Sequence, residues 1–315
     1  MTGLAALACA SHSPALMRAE LSDPETCEAV AASFAQMREF IEEFAPDVIV
    51  QFSPDHFNGF NYALMPSFSI GLAARSCGDW STRETSLPVD ERFASDILGA
   101  VRAAEIDAAM SYDMVVDHGF VQMWEIMFGR ADKYPIVPIF VNCAAPPLPT
   151  YPRARALGNA VGEFAARSGQ RVLFAASGGL SHDPLVPKIS DPHPETRARL
   201  LGTALPTAER KAQREARLLE LGAAAQRGEG PLRPLNPDWD RLVLDAFARN
   251  DWQYFGHLDA DKVERIAGSG ANELLAWVAA ASAMAAAGPY RVVQKQYRPA
   301  PGWIAGVAHL TATSA

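Results

Sequence analysis

The sequence predicts an α/β fold: a mostly parallel central sheet flanked by helices, with the active site at the C-terminal ends of the strands. Three observations carry this expectation. Short unbroken apolar runs recur at residues 4–8, 48–52, 136–141 and 172–176, the pattern of strands buried on both faces. Longer segments with helical periodicity separate them, and strands alternating with helices pack as a parallel sheet covered on both sides. Four of the seven histidines fall just after strand candidates, where open α/β sheets bind their ligands.

The elements follow in chain order. The first ten residues are small and apolar, but they lack the basic residues that open a secretory leader, so they read as a buried first strand. Phe34, Met37, Ile41 and Phe44 recur at spacings of three and four, ahead of a Pro46 that closes the helix. A weaker strand candidate covers residues 108–112. Residues 206–228 are rich in Arg, Glu and Ala and predict an exposed or partner-facing helix. The Ala-rich run at 274–287 is too short to span a bilayer. No Ser/Gly linker and no internal repeat interrupts the chain, so residues 1–315 read as one catalytic domain.

Composition narrows the function. The chain is 49% hydrophobic and 20% charged, that of an ordinary globular protein able to bury a large core. It carries 36 acidic against 28 basic residues, a formal charge of -8, and shows none of the basic clustering of a nucleic-acid binder. Cys9, Cys27, Cys77 and Cys143 are scattered without a CxxC pair, which reads as reduced thiols in the cytoplasm.

The histidines are the chemically informative residues. His12 lies in Ser11-His12-Ser13-Pro14, and His56 in Ser53-Pro54-Asp55-His56-Phe57-Asn58-Gly59. His118 lies in Val116-Asp117-His118-Gly119-Phe120, and His182 in Gly178-Gly179-Leu180-Ser181-His182-Asp183. Imidazole is the commonest protein ligand for iron and zinc and also titrates near neutral pH, so the set suits a metal centre, an acid–base centre, or both. Two histidines need a carboxylate to complete a facial triad, and Glu273, between a Gly-rich loop and an apolar helix, is the candidate. Taken from the residues alone, Glu273 is better read as a first-turn carboxylate that complements the helix dipole, a preference that the resemblance below reverses. His193, His257 and His309 read as surface or helix-end residues. Ser177 and Ser181 lack the G-x-S-x-G elbow of a hydrolase nucleophile.

Together these four histidine motifs resemble the class III extradiol dioxygenases, the superfamily of protocatechuate 4,5-dioxygenase beta subunits. Pro234-Leu235-Asn236-Pro237, Trp239-Asp240, Tyr297-Arg298-Pro299 and Trp303-Ile304-Ala305-Gly306 extend the likeness, which runs from about residue 5 to 310. The resemblance is strongest to the phenylpropionate subgroup. It implies iron(II) held by His12, His56 and Glu273, with His118 as proton donor and His182 as proton acceptor. It also implies a catechol substrate, 3-(2,3-dihydroxyphenyl)propanoate or its cinnamate analogue, opened by O2 beside its two hydroxyls, and a homo-oligomer. Arg298 and Lys295 are the basic candidates for reading the substrate carboxylate. Two other readings stand beside this one: a Memo-like metal-binding protein of the same fold without ring-cleaving activity, and a zinc hydrolase built on the same ligand types.

Overall fold

The computed structural model describes residues 4–184, 186–203 and 207–315. Its strands, in chain order, are β1 (Ala5–Ala10), β2 (Val48–Ser53), β3 (Phe68–Gly71), β4 (Ala74–Ser76), β5 (Ser86–Leu87) and β6 (Ala109–Ser111). They continue with β7 (Met114–Val116), β8 (Ile136–Val141), β9 (Val172–Ser177), β10 (Tyr290–Ala300) and β11 (Ala305–Ser314). Eight of them form one sheet in the order β10-β11-β1-β9-β2-β8-β3-β6, and β5-β4-β7 form a smaller one.

The four predicted apolar runs become the heart of the large sheet. β1, β9, β2 and β8 are neighbours, parallel, and buried at every position. Apolar side chains on both faces leave such strands no solvated side, so helices must cover both. Because β1, β9 and β2 run in parallel side by side, the segments that leave their carboxyl ends emerge together. Those segments carry His12, His182 and His56. The expected fold is therefore present, with antiparallel additions: β11 pairs antiparallel with β1, β10 with β11, and β3 with β8.

Helix Leu274–Ala287 is buried along nearly its whole length and packs on helix Tyr151–Ser168. Small residues set the separation. A Cβ on Gly158 would lie 2.1 Å from the Ala279 carbonyl oxygen, and one on Gly162 would lie 2.1 Å from that of Ala283. This close seating fixes the start of the apolar helix, where Glu273 ends a short 3-10 turn, Ser269–Glu273. Among the described residues no helix is long and apolar enough to cross a membrane.

Three expectations need correction. His118 does not follow the strand at 108–112. It opens helix His118–Phe128 directly after β7, with the Asp117 carboxylate capping that helix. His309 is not a surface residue: it sits inside β11, 2% exposed, sharing a hydrogen bond with Ser33. The recurring Ala residues at the C-terminus conceal an interior strand of the sheet, and burial pushes this imidazole down to about 3. The helix expected at 206–228 runs Ala208–Gln226, Pro206 lying outside the described residues. Most of it is exposed, yet Arg214, Arg217, Leu218 and Leu221, spaced along one helical face, line a cavity of this same chain.

Candidate active site

His12 is buried, and its Nδ1 shares a hydrogen bond of 2.7 Å with the Ser177 hydroxyl at the end of β9. That contact turns Nε2 toward His56, whose own Nε2 lies 3.4 Å away. The Nδ1–H of His56 donates to Asp117 at 3.0 Å, which holds the ring in place. Glu273 meets both rings: one carboxylate oxygen is 3.1 Å from His56 Nε2, and the other is 3.6 Å from His12 Nε2. The Gly179 N–H donates to that second oxygen. Glycine is required around this point, since a Cβ on Gly178 would lie 2.7 Å from the Glu273 Cβ.

The electrostatics favour a positive charge between these groups. Burial drives the His12 imidazole down to about 3, so it is neutral and offers a lone pair. Burial would also depress His56, but the carboxylates of Asp117 and Glu273 outweigh it and hold this ring well above its ordinary value. Burial opposes ionisation of Glu273 too, yet His12 and His56 bring it down to about 2. Asp117, although buried, is likewise held below the usual carboxylate range by His56 and His118. Two convergent imidazoles beside an ionised carboxylate are a donor set for a divalent transition metal.

The other two histidines are oriented differently. His118 stacks on His56 with centroids 4.5 Å apart, and its Nδ1 bonds the Asp79 carboxylate at 2.7 Å. Its Nε2 is buried without a hydrogen-bond partner. The Nδ1–H of His182 donates to the Ile304 carbonyl, so the neutral ring carries its lone pair on Nε2. Burial lowers the pKa of His182, with Glu273 and the Ile304 carbonyl opposing it. The Gly-rich loop presses against this ring: a Cβ on Gly270 would lie 2.3 Å from its Cδ2. His56, His118 and His182 all line one cavity of about 190 Å³.

All five predicted site residues thus gather in one place, and three further ones accompany them. The sequence motif around Asp117 assigns it no role, and Ser177 reads from sequence only as a candidate nucleophile. Its hydroxyl instead orients His12, while that of Ser181 is engaged by Asp240. Asp79 gave no signal, because it sits in an irregular turn far from any histidine in sequence. The two residues proposed to read a carboxylate lie elsewhere: Lys295 pairs with Asp245, and Arg298 lies 3.6 Å from Glu25, both at the surface.

Residues 6–308 match the family model described as the catalytic LigB subunit of aromatic ring-opening dioxygenase. The chain belongs to this family. Among similar proteins, one from Photorhabdus laumondii is 41% identical over 307 residues, covering 97% of this chain and 96% of its own length. One from a Rhodococcus species is 43% identical over 311 residues, covering 98% of each. Both are named 2,3-dihydroxyphenylpropionate/2,3-dihydroxicinnamic acid 1,2-dioxygenase. In fold, the chain is similar to the crystal structure of an uncharacterized protein from Escherichia coli K12. That match has a TM-score of 0.51 at 11% identity and covers 97% of this chain and 98% of the other.

Proposed function

We propose that this LigB-family chain is an iron(II)-dependent extradiol dioxygenase acting on 3-(2,3-dihydroxyphenyl)propanoate and its cinnamate analogue, with residues 1–315 working as one catalytic domain. The observation that carries the reading is the convergence of His12, His56 and Glu273 beside a cavity that also presents His118 and His182. The names of the 41% and 43% identical relatives support the substrate.

His12, His56 and Glu273 would hold the metal. The donor atoms of His12, His56 and His118 also lie within 4.8 Å of one another, which raises His118 as a rival third ligand. Glu273 fits better, because its carboxylate already faces both Nε2 atoms and supplies negative charge. His118 instead stacks face to face on His56. Two histidines and one carboxylate leave coordination positions open for substrate and oxygen. When bound, iron(II) would acidify the catechol hydroxyls and bring O2 beside the ring.

The chain's own groups supply the proton chemistry. His182, neutral and with a bare Nε2, takes a hydroxyl proton from the catechol. His118, steadied by Asp79, presents its Nε2 to deliver a proton when the O–O bond breaks. Tethering both rings through Nδ1 removes rotational freedom, so each proton moves along a fixed line. Both oxygen atoms enter the product, a 2-hydroxy-6-oxo-nonadienedioate from the propanoate or the trienedioate from the cinnamate, so no external reductant is needed. The four cysteines are free thiols, which supports placement in the cytoplasm, and the family resemblance supports a homo-oligomer.

The test is to reconstitute His12→Ala, His56→Ala and Glu273→Ala anaerobically with iron(II). Each should lose metal and turnover together, while His118→Ala and His182→Ala keep the metal. Full iron occupancy in the Glu273 variant would return this residue to a helix-capping role. Activity restored by zinc rather than iron would favour a hydrolase.

A further inference from the structure

The cavity that presents His56, His118 and His182 is also lined by Arg199, Arg214 and Arg217. Elsewhere arginines of this chain find carboxylates: Arg210 pairs with Glu195, and Arg171 with Asp47. Among the described residues, no ion pair engages any of the three at the cavity. The Nε of Arg214 is buried with no hydrogen-bond partner, and its guanidinium lies over the Trp80 ring, 5.7 Å from the centroid. Arg199 is half-buried, and its Nη2 donates to the His56 carbonyl at 3.1 Å. Burial and the nearby Arg214 charge pull Arg199 down to about 10, so it remains cationic at neutral pH.

Two guanidinium groups that line one cavity, partly out of water and with no direct ion pair to either among the described residues, repel one another. A ligand carboxylate between them would relieve that repulsion and gain charge-assisted hydrogen bonds, for which the guanidinium fork is suited. The rest of the cavity fits the remainder of such a ligand: Phe57, Val186, Leu218 and Leu221 offer apolar walls to a ring and a short alkyl arm.

We propose that Arg199 and Arg214 form a subsite that binds the side-chain carboxylate of the catechol substrate. This rests on the ring-opening reading of the same cavity. Each arginine is tied to a different part of the proton and metal machinery. Arg199 is anchored on the backbone of His56, and Arg214 lies over Trp80, which adjoins the Asp79 that steadies His118. A carboxylate held by the pair would therefore set where the catechol ring stops relative to those histidines. Arg217, one helical turn beyond Arg214 and exposed, is at the rim and is not part of the clamp.

The test compares 3-(2,3-dihydroxyphenyl)propanoate with 3-propylcatechol, a neutral substrate of the same length. The native enzyme should prefer the propanoate in kcat/KM. In Arg214→Met and Arg199→Met the ratio of the two specificity constants should fall about 10- to 100-fold, the value of a charge-assisted contact, mainly through KM. Arg214→Lys should recover part of the preference. Arg214→Glu should shift it toward 3-(2-aminoethyl)catechol. Anaerobic calorimetry with the same two catechols gives a readout independent of turnover, and the propanoate should lose affinity in both Met variants. Arg199→Met also removes the bond to His56; an equal loss on both substrates in that variant alone would leave Arg214 as the sole carboxylate contact and overturn the clamp. Equal constants for both catechols in the native enzyme, or an unchanged ratio in Arg214→Met, would overturn the subsite while leaving ring opening intact. Native protein that binds the propanoate through Arg214 but opens neither catechol would overturn the ring-opening reading and spare the subsite.

Discussion

His118 and His182 differ in what holds their Nδ1 atoms, an Asp79 carboxylate for one and the Ile304 carbonyl for the other. The Asp79 contact fixes the orientation of the ring proposed as proton donor, whereas the Ile304 carbonyl fixes the tautomer of the ring proposed as acceptor. His118→Ala and His182→Ala should each lower kcat by about 10²–10⁴-fold with metal content unchanged, measured by oxygen uptake and metal analysis. Asp79 acts through His118, so Asp79→Asn should reduce kcat more than KM and alter the pH profile; an unchanged profile would make Asp79 merely structural. His309 gives a stability prediction. Its folded pKa, about 3, lies below the unfolded value of 6.5, so protonation favours the unfolded chain. Its contribution is complete above pH 6.5 and is lost as pH falls toward 3. Between pH 7 and 5 the native protein should lose about 2 kcal/mol relative to His309→Leu in urea unfolding. At this scale the sequence was informative where a histidine followed a strand. It was silent for Asp79, Arg199 and Arg214, which lie in a turn and on helices with no period or spacing linking them to the site.

Glu273 is placed by an element rather than by its neighbours. The Ala-rich helix Leu274–Ala287 sits so close to helix Tyr151–Ser168 that only glycine fits at 158 and 162. Gly158→Leu should push the two helices apart, destabilise the fold by at least about 1–3 kcal/mol and lower metal content in the protein that remains folded. Native stability and metal content in this variant would show that the helix seat does not position Glu273. The apolar strands β1, β2, β8 and β9 were legible because full burial leaves an unbroken hydrophobic run. β10 and β11 were not. β10 alternates exposed and half-buried positions with charged residues, and in β11 the recurring Ala residues and Gly306 dilute the strand signal of its Val and Thr. The helix over the cavity was read as exposed because most of its surface is. The single stripe from Arg214 to Leu221 that faces inward is outvoted by the charged residues around it.

Across the whole molecule, the parallel order β1-β9-β2 explains why His56 and His182, 44 and 170 positions after His12 along the chain, gather with it at one site. That convergence was foreseeable from strand ends. The contribution of the small sheet was not, because β7 is only three residues long and delivers His118 through a helix start. Oxygen insertion into a catechol needs a metal donor set, a proton acceptor and a proton donor, and the architecture gathers the residues proposed for these roles at one site. The most direct measurement is the oxygen stoichiometry of the iron-loaded protein with 3-(2,3-dihydroxyphenyl)propanoate, followed together with product absorbance. One O2 consumed per catechol, with a yellow ring-opened product and no hydrogen peroxide, is the predicted result. Absence of oxygen uptake, or uptake that yields quinone and peroxide with the ring intact, would contradict it.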